Sequence, residues 1–206
     1  AAELLTMYAP ATLVDMLQRE DGPSVQAVVE AARTNPAAAS AFRPEAGLAY
    51  GPLVRRPDKI VCVGLNYRQH AEEVGAAIPA YPVLFNKFNA SLNNHLGTVT
   101  LPVDLATQFD YEVELVIVMG RTASRVREAD ALSYVAGYAT GNDFTARDLQ
   151  NGRGGQWMVG KALDGFAPIG PHLVTADQVD PDNLTIECRV NGETRQSSTT
   201  ADFIFG

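Results

Sequence analysis

Up to about Arg55 the apolar residues recur at helical spacing, whereas from Lys59 onward they come in short bursts that suit strands. Leu13, Met16 and Leu17 share one face of a helix over Ala11–Glu20, and Val25, Val28 and Val29 do so over Pro23–Arg33. Asp21-Gly22-Pro23 stops the first helix and supplies a proline suited to the first turn of the second. An Ala-rich stretch at Ala37–Ala41 then runs to Arg55-Arg56-Pro57. The pattern predicts a small helical N-terminal region over residues 1–54 and a second unit over 55–206.

Within the second unit, Lys59–Gly64, Pro82–Phe88, Thr98–Leu101, Asp110–Met119 and Val135–Asp143 read as strands. Asn66–Val74 reads as a helix, Thr145–Gln150 as a helical turn and Gly152–Gly155 as a loop. Leu115–Met119 is apolar throughout, which predicts a strand buried on both faces. Over Leu184–Val190 the alternation turns Ile186, Cys188 and Val190 inward and Glu187 and Arg189 outward, and Asn191-Gly192 signals a hairpin turn. Many short strands with few long helices predict a mainly β domain carrying some α, an α+β fold. Asp202–Gly206 opens a new apolar element, so the C-terminal part of this domain is expected to lie beyond Gly206. The opening residue Ala1, with no Met, likewise predicts a start further upstream.

Composition narrows the classes. Of 206 residues, 46% are hydrophobic and 19% charged, against roughly 25% charged in typical soluble domains. That balance excludes intrinsic disorder. A net charge of −8, with no Lys/Arg run of about five, argues against a nucleic-acid partner. The longest apolar stretch, near Leu115–Gly120, is far short of the ~20 residues that cross a bilayer, so no membrane partner is expected. Near the N-terminus stand Glu3 and Asp15 rather than a basic leader. Cys62 and Cys188 have no paired spacing, which argues against structural zinc and a disulfide framework and predicts a reduced, cytoplasmic setting.

Several side chains are candidates for chemistry. Asp110, Glu112 and Glu114 fall at period two and share one face of a strand. They form either a solvated strand face or, at the mouth of a buried strand, an acid cluster that calls for a divalent cation. All-oxygen donors suit Mg²⁺, Mn²⁺ or Ca²⁺ over Zn²⁺. Asp143 is either the N-cap of the turn that follows or a further ligand in company with Glu112 and Glu114. His70 and Glu73 lie one helical turn apart, as an exposed charged pair or as an imidazole oriented by a carboxylate to act as a general base. His95 and His172 have no such partner and read as structural. Lys87 and Lys161 sit in apolar runs, where a lysine either snorkels outward or, within a site, binds a carboxylate or steadies an enolate. No nucleophile elbow, phosphate loop or dinucleotide fingerprint occurs.

Taken in order, Val63-Gly64-Leu65-Asn66-Tyr67-Arg68-Gln69-His70-Ala71, Tyr111-Glu112-Val113-Glu114-Leu115, Gly141-Asn142-Asp143-Phe144-Thr145-Ala146-Arg147-Asp148-Leu149-Gln150 and Gln156-Trp157-Met158-Val159-Gly160-Lys161, followed by Phe166-Ala167-Pro168-Ile169-Gly170-Pro171, resemble the fumarylacetoacetate hydrolase family. The resemblance runs from about Lys59 to Gly206. It implies a mixed β-roll core, and Glu112, Glu114 and Asp143 as ligands of Mg²⁺ or Mn²⁺. It implies His70 and Glu73 as a lid dyad, with Lys161 catalytic and Arg147, Gln150 and Lys87 at the substrate. Asn66-Tyr67 stands where some members carry a fourth carboxylate, which implies a site completed by water or substrate. The family's Gly-Thr-Pro segment, near the C-terminus, is expected to lie beyond Gly206, and Ser91–Leu96 departs from the family's usual loop. The implied activity is metal-dependent cleavage of a carbon–carbon bond in a small 1,3-diketo acid of the acylpyruvate or fumarylpyruvate type, through a metal-bound enolate. Decarboxylation of oxaloacetate, isomerisation or hydration of a 2-oxo-enedioate, and a non-catalytic binding relative are the alternatives. A homodimer taking a 2-oxo or diketo acid, as in aromatic compound breakdown, is implied as well.

Overall fold

The computed structural model describes residues 13–18 and 22–206. Helix α1, Leu13–Gln18, lies within the expected Ala11–Glu20 helix, whose remaining residues fall outside the described ones, and α2 spans Gly22–Arg33. The Ala-rich stretch forms a 3-10 helix, Pro36–Ala41, with the Asn35 side chain accepting from the Ala37 N–H. Two contacts tie the N-terminal region to the rest: His172 Nε2 lies 2.8 Å from Glu45 Oε1, and Tyr50 meets the His95 ring edge-on with centroids 4.9 Å apart.

The β-rich unit opens with β1, Ile60–Gly64, then α3, Arg68–Glu73, and β2, Val83–Lys87; β1 and β2 pair antiparallel. Next come β3, Leu92–Asn94, β4, Phe109–Asp110, β5, Val113–Met119, β6, Val135–Asn142, and β7, Thr145–Ala146. After α4, Arg147–Gly152, and α5, Met158–Lys161, come β8, Ala167–Ile169, and β9, Val174–Thr175. The last hairpin is β10, Thr185–Val190, with β11, Glu193–Thr199. The central sheet runs β3-β8-β6-β5, parallel between β3 and β8 and antiparallel elsewhere, with β9 also paired to β6. β4 pairs with β7, and β10 with β11. This is the mixed, strand-rich α+β architecture the pattern predicted.

Three expectations need correction. Thr98–Leu101 alternates polar and apolar residues but has no ladder partner among the described residues, so it is not a strand, and pairing falls to Leu92–Asn94 instead. Asp110–Met119 is not continuous: Tyr111 and Glu112 leave the ladder, and β4 and β5 pair with different partners. β5 is not buried on both faces: Ile117 and Met119 on one face are exposed, while Val118 on the other is buried. The hairpin reading holds. Ile186, Cys188 and Val190 are the less exposed residues of β10, and Asn191 (φ 53°) and Gly192 (φ 85°) take the positive dihedrals that a tight primed turn requires.

The core gathers where α4 and α5 meet β4 and β7. Ala106, Ala146 and Leu149 are buried there against Phe109, Val159 and Leu163. Phe166, fully buried, packs between Phe109 and Phe144, with centroids 6.3 and 6.0 Å away. Replacing Phe166 with Ala removes a whole buried ring and is expected to lower stability by about 3–5 kcal/mol, read from urea unfolding.

Candidate functional site

β6 ends at Asn142, and the chain turns through Asp143 and Phe144 into β7. The turn leaves the Asp143 side chain buried, at 7% exposure. An ionised carboxylate there must be paired. Its Oδ2 lies 2.9 Å from Lys161 Nζ and its Oδ1 2.7 Å from Lys87 Nζ. Lys161 Nζ also donates to Glu112 Oε2 at 2.8 Å and to Thr145 Oγ1 at 2.9 Å, so each of its N–H groups has an acceptor. Lys87 Nζ turns as well to the backbone carbonyls of Phe144 and Phe166, at 3.2 and 3.0 Å, and to that of Lys161.

Neither lysine snorkels. Lys87 is 4% exposed and Lys161 2%, because each finds a carboxylate and further acceptors inside the fold. Burial pushes the Lys87 pKa down, and Asp143 beside it pulls the other way. Among the described residues the Lys87 ammonium is engaged by Asp143 and by three backbone carbonyls. Asp143 is not an N-cap either, since the residue at that position of α4 is Ala146. The approach of α5 depends on Gly160, whose missing Cβ would stand 2.4 Å from the Ala146 carbonyl oxygen. The next residue, Lys161, is thereby set beside β7.

Arg147 draws off the first of the three period-two acids. Its Nη2 lies 2.7 Å from both Asp110 Oδ2 and Glu112 Oε1, and its Nη1 donates to Gln150 Oε1 at 3.0 Å. Asp110 is thus a partner of Arg147, apart from the candidate ligand set. Glu114 differs from its neighbours. Among the described residues no hydrogen bond or ion pair reaches its carboxylate. Burial first, then the charges of Glu112 and Asp143, push its pKa up to about 8, against the pull of Lys161.

Whether these residues suit a divalent cation follows from their charges. The carboxylates of Asp110, Glu112, Glu114 and Asp143 meet the cations of Lys87, Lys161 and Arg147, which leaves one negative charge in surplus once Glu114 ionises. Asp143 Oδ1 is buried without an aligned hydrogen bond, despite the short ion-pair contact to Lys87. Surplus charge and spare oxygen lone pairs fit a hard cation. Among the described residues, however, no three His, Cys, Asp or Glu side chains are already grouped to hold a metal ion, and Lys161 stands across Glu112 and Asp143. The donor chemistry fits; the arrangement is closed by a lysine.

His70 and Glu73 lie on α3, with Nδ1 and Oε2 3.5 Å apart and side chains 49% and 79% exposed. No hydrogen bond or ion pair joins them to the carboxylate–lysine network among the described residues. The preceding residue, Tyr67, bridges to Phe203 and has a buried hydroxyl with no partner, whose pKa is raised by burial and then by the charge of Glu114. On β1, burial and Asp143 push the Cys62 thiol up to about 12, which leaves it unreactive. A cavity of about 320 Å³ opens on Glu114, but its other walls, such as Leu115, Tyr138 and Ile186, are mostly apolar. The chemistry therefore centres on the charged network, with the cavity touching it at Glu114.

Gln196 enters the site with no signal in the sequence, whereas Asn142 and Thr145 stand within the Gly141–Gln150 motif without a role assigned to them. Asn142 Oδ1 accepts the Glu112 N–H at 3.0 Å, and Gln196 comes from a hairpin about eighty residues downstream.

A family profile described as "Fumarylacetoacetate (FAA) hydrolase C-terminal" matches residues 59–206. The oxaloacetate tautomerase Fahd2a, mitochondrial, of Rattus norvegicus is 39% identical over 95% of this chain and 61% of its own length. The fumarylacetoacetate hydrolase domain-containing protein 2 homolog of Dictyostelium discoideum is 47% identical over 72% of this chain and 52% of its own. The chain thus spans about 61% or less of these curated relatives. Among solved structures, a putative HpcE protein from Mycobacterium smegmatis superposes with a TM-score of 0.72 at 40% identity, over 93% of this chain and 65% of that one. A 5-carboxymethyl-2-hydroxymuconate delta-isomerase from the same organism gives 0.62 at 41% identity, over 70% of this chain and 56% of that one. No helix among the described residues is long and apolar enough to cross a membrane.

The raised Glu114 pKa has a measurable consequence for the cation-free protein. Between the ordinary 4.5 and about 8, the unfolded chain has lost this proton while the folded chain keeps it. Stability from this group is therefore full below pH 4.5 and declines as pH rises to about 8. Urea unfolding in chelator across that range is expected to show a downward slope that Glu114→Gln flattens.

Proposed function

This chain belongs to the fumarylacetoacetate hydrolase family, and from that premise we propose that it acts on a small 2-oxo acid by enol chemistry, with oxaloacetate keto–enol tautomerisation as the first reaction. The observation that carries this reading is the buried Lys161 ammonium fixed between Glu112 and Asp143, next to a surplus carboxylate. Relatives named oxaloacetate tautomerase in Rattus norvegicus and Bos taurus, which align over 95% of the chain, support the substrate class.

Glu112, Glu114 and Asp143 would hold Mg²⁺ or Mn²⁺, with Ca²⁺ as the alternative. When bound, such an ion supplies Lewis-acid polarisation of the carbonyl of the 2-oxo acid. Lys161 Nζ, released from a carboxylate, offers positive charge to the developing enolate oxygen. Arg147 and Gln150 orient the substrate carboxylate. His70 Nε2 takes the proton from the carbon next to the carbonyl and delivers it to the enolate oxygen, and runs the transfer backwards for enol to keto, while Glu73 at Nδ1 fixes the tautomer. The segment bearing this pair, ended by Gly75 and Pro79, closes over the substrate and excludes water.

A second reading, hydrolysis of a carbon–carbon bond in an acylpyruvate, rests on the same His70–Glu73 pair, which would activate a water. Oxaloacetate decarboxylation and isomerisation or hydration of a 2-oxo-enedioate need the same enolate; the isomerase similarity favours including the isomerisation. We further propose residues 55–206 as the catalytic unit, a homodimer as the working form and the cytoplasm as its location.

A substrate panel of oxaloacetate, acetylpyruvate and a 2-oxo-enedioate, run with Mg²⁺ and with EDTA, tests the proposal. Faster oxaloacetate enol–keto conversion that EDTA abolishes is the expected result, and absence of turnover for the whole panel in Mg²⁺ contradicts it. His70→Ala should retain Mn²⁺ binding and lose about 10²–10⁴-fold in turnover; undiminished turnover would refute the base assignment.

A further inference from the structure

We propose that Gln196, on the second strand of the last hairpin, is a positioning residue that holds the Glu112 carboxylate in place from outside the site. It rests on the reading of Glu112 as a working carboxylate. In extended chain, the N–H and C=O of one residue point to one side and those of its two neighbours point to the other. Glu112 lies in the gap between β4 and β5, where no strand ladder fixes it. On one side its own N–H is taken by Asn142 Oδ1 at 3.0 Å, and its carbonyl accepts the Asp143 N–H at 2.8 Å.

The neighbours on the other side need a partner as well. Gln196 supplies both halves of it: its Oε1 accepts the Val113 N–H at 2.8 Å, and its Nε2 donates to the Tyr111 carbonyl at 3.2 Å. One side-chain amide therefore does what a peptide group of an adjacent strand would do, straddling Glu112. The β10–β11 hairpin otherwise forms a sheet of its own. Through this contact it fixes the backbone from which Glu112 reaches Lys161 Nζ at 2.8 Å and Arg147 Nη2 at 2.7 Å. Outer-shell partners of this kind alter the work of a ligand without touching the ion or the substrate.

The test uses the full chain with Gln196→Met, which keeps the side-chain length and removes both hydrogen bonds, and Gln196→Asn, which is too short to span both partners. Mn²⁺ binding followed by electron paramagnetic resonance should weaken about tenfold or more in both. Val190→Ala, in the same hairpin, serves as a control for general weakening. It should lower the melting temperature and leave Mn²⁺ affinity unchanged. The proposal is overturned if Val113 amide exchange accelerates in Gln196→Met, showing the clamp lost, while Mn²⁺ affinity stays at the wild-type value. It is overturned too if Val190→Ala weakens Mn²⁺ equally. Should the wild-type protein bind no Mn²⁺, the cation reading fails on its own, and a crystal structure of the Gln196 variant decides the clamp. Loss of the Glu112–Lys161 contact supports it, and retention refutes it.

Discussion

A carboxylate taken out of water must find positive charge, and Asp143 finds two ammonium groups. Lys87 comes from the end of β2, Lys161 from the end of α5 and Asp143 from the turn after β6, so one ion cluster joins three elements that are distant in sequence. Removing either lysine would leave charge buried and under-compensated, which generally costs several kcal/mol. Much of the surrounding structure serves this meeting: Gly160 permits the close approach of α5, and Phe166 packs beneath the carbonyls that Lys87 also binds.

The same cluster explains why chemistry gathers at this end of the sheet. Three cations are fixed against four carboxylates, and the uncompensated one, Glu114, borders a cavity and is held in its protonated form up to about pH 8. Under the proposed cation reading, a proton and a divalent cation would compete for one position, which would couple cation uptake to proton release. Lys161 closes the carboxylates together in the arrangement seen here; in the proposed reaction, once displaced from one of them, it would offer its charge to an enolate.

Local pattern carried some parts of the structure into view and left others hidden. The β10–β11 hairpin was legible because alternation and Asn191-Gly192 act within a few residues. The acids Glu112, Glu114 and Asp143 were legible as types, but not their partners. Lysines in apolar runs look alike whether they point out or in, and only the tertiary pairing with Asp143 buries Lys87 and Lys161. The break at Tyr111–Glu112 was invisible for a similar reason: its hydrogen bonds go to the side chains of Asn142 and Gln196, which no period in the chain announces. Thr98–Leu101 shows the converse, an alternating pattern with no neighbour to pair with among the described residues.

If Glu112, Glu114 and Asp143 form one cation-binding set from which Lys161 withdraws, anomalous scattering from crystals soaked in Mn²⁺ will show a single peak bonded to oxygens of all three carboxylates, with the Lys161 ammonium moved off at least one of them. A map without a peak there, and with Lys161 still bridging Glu112 and Asp143, would contradict this reading.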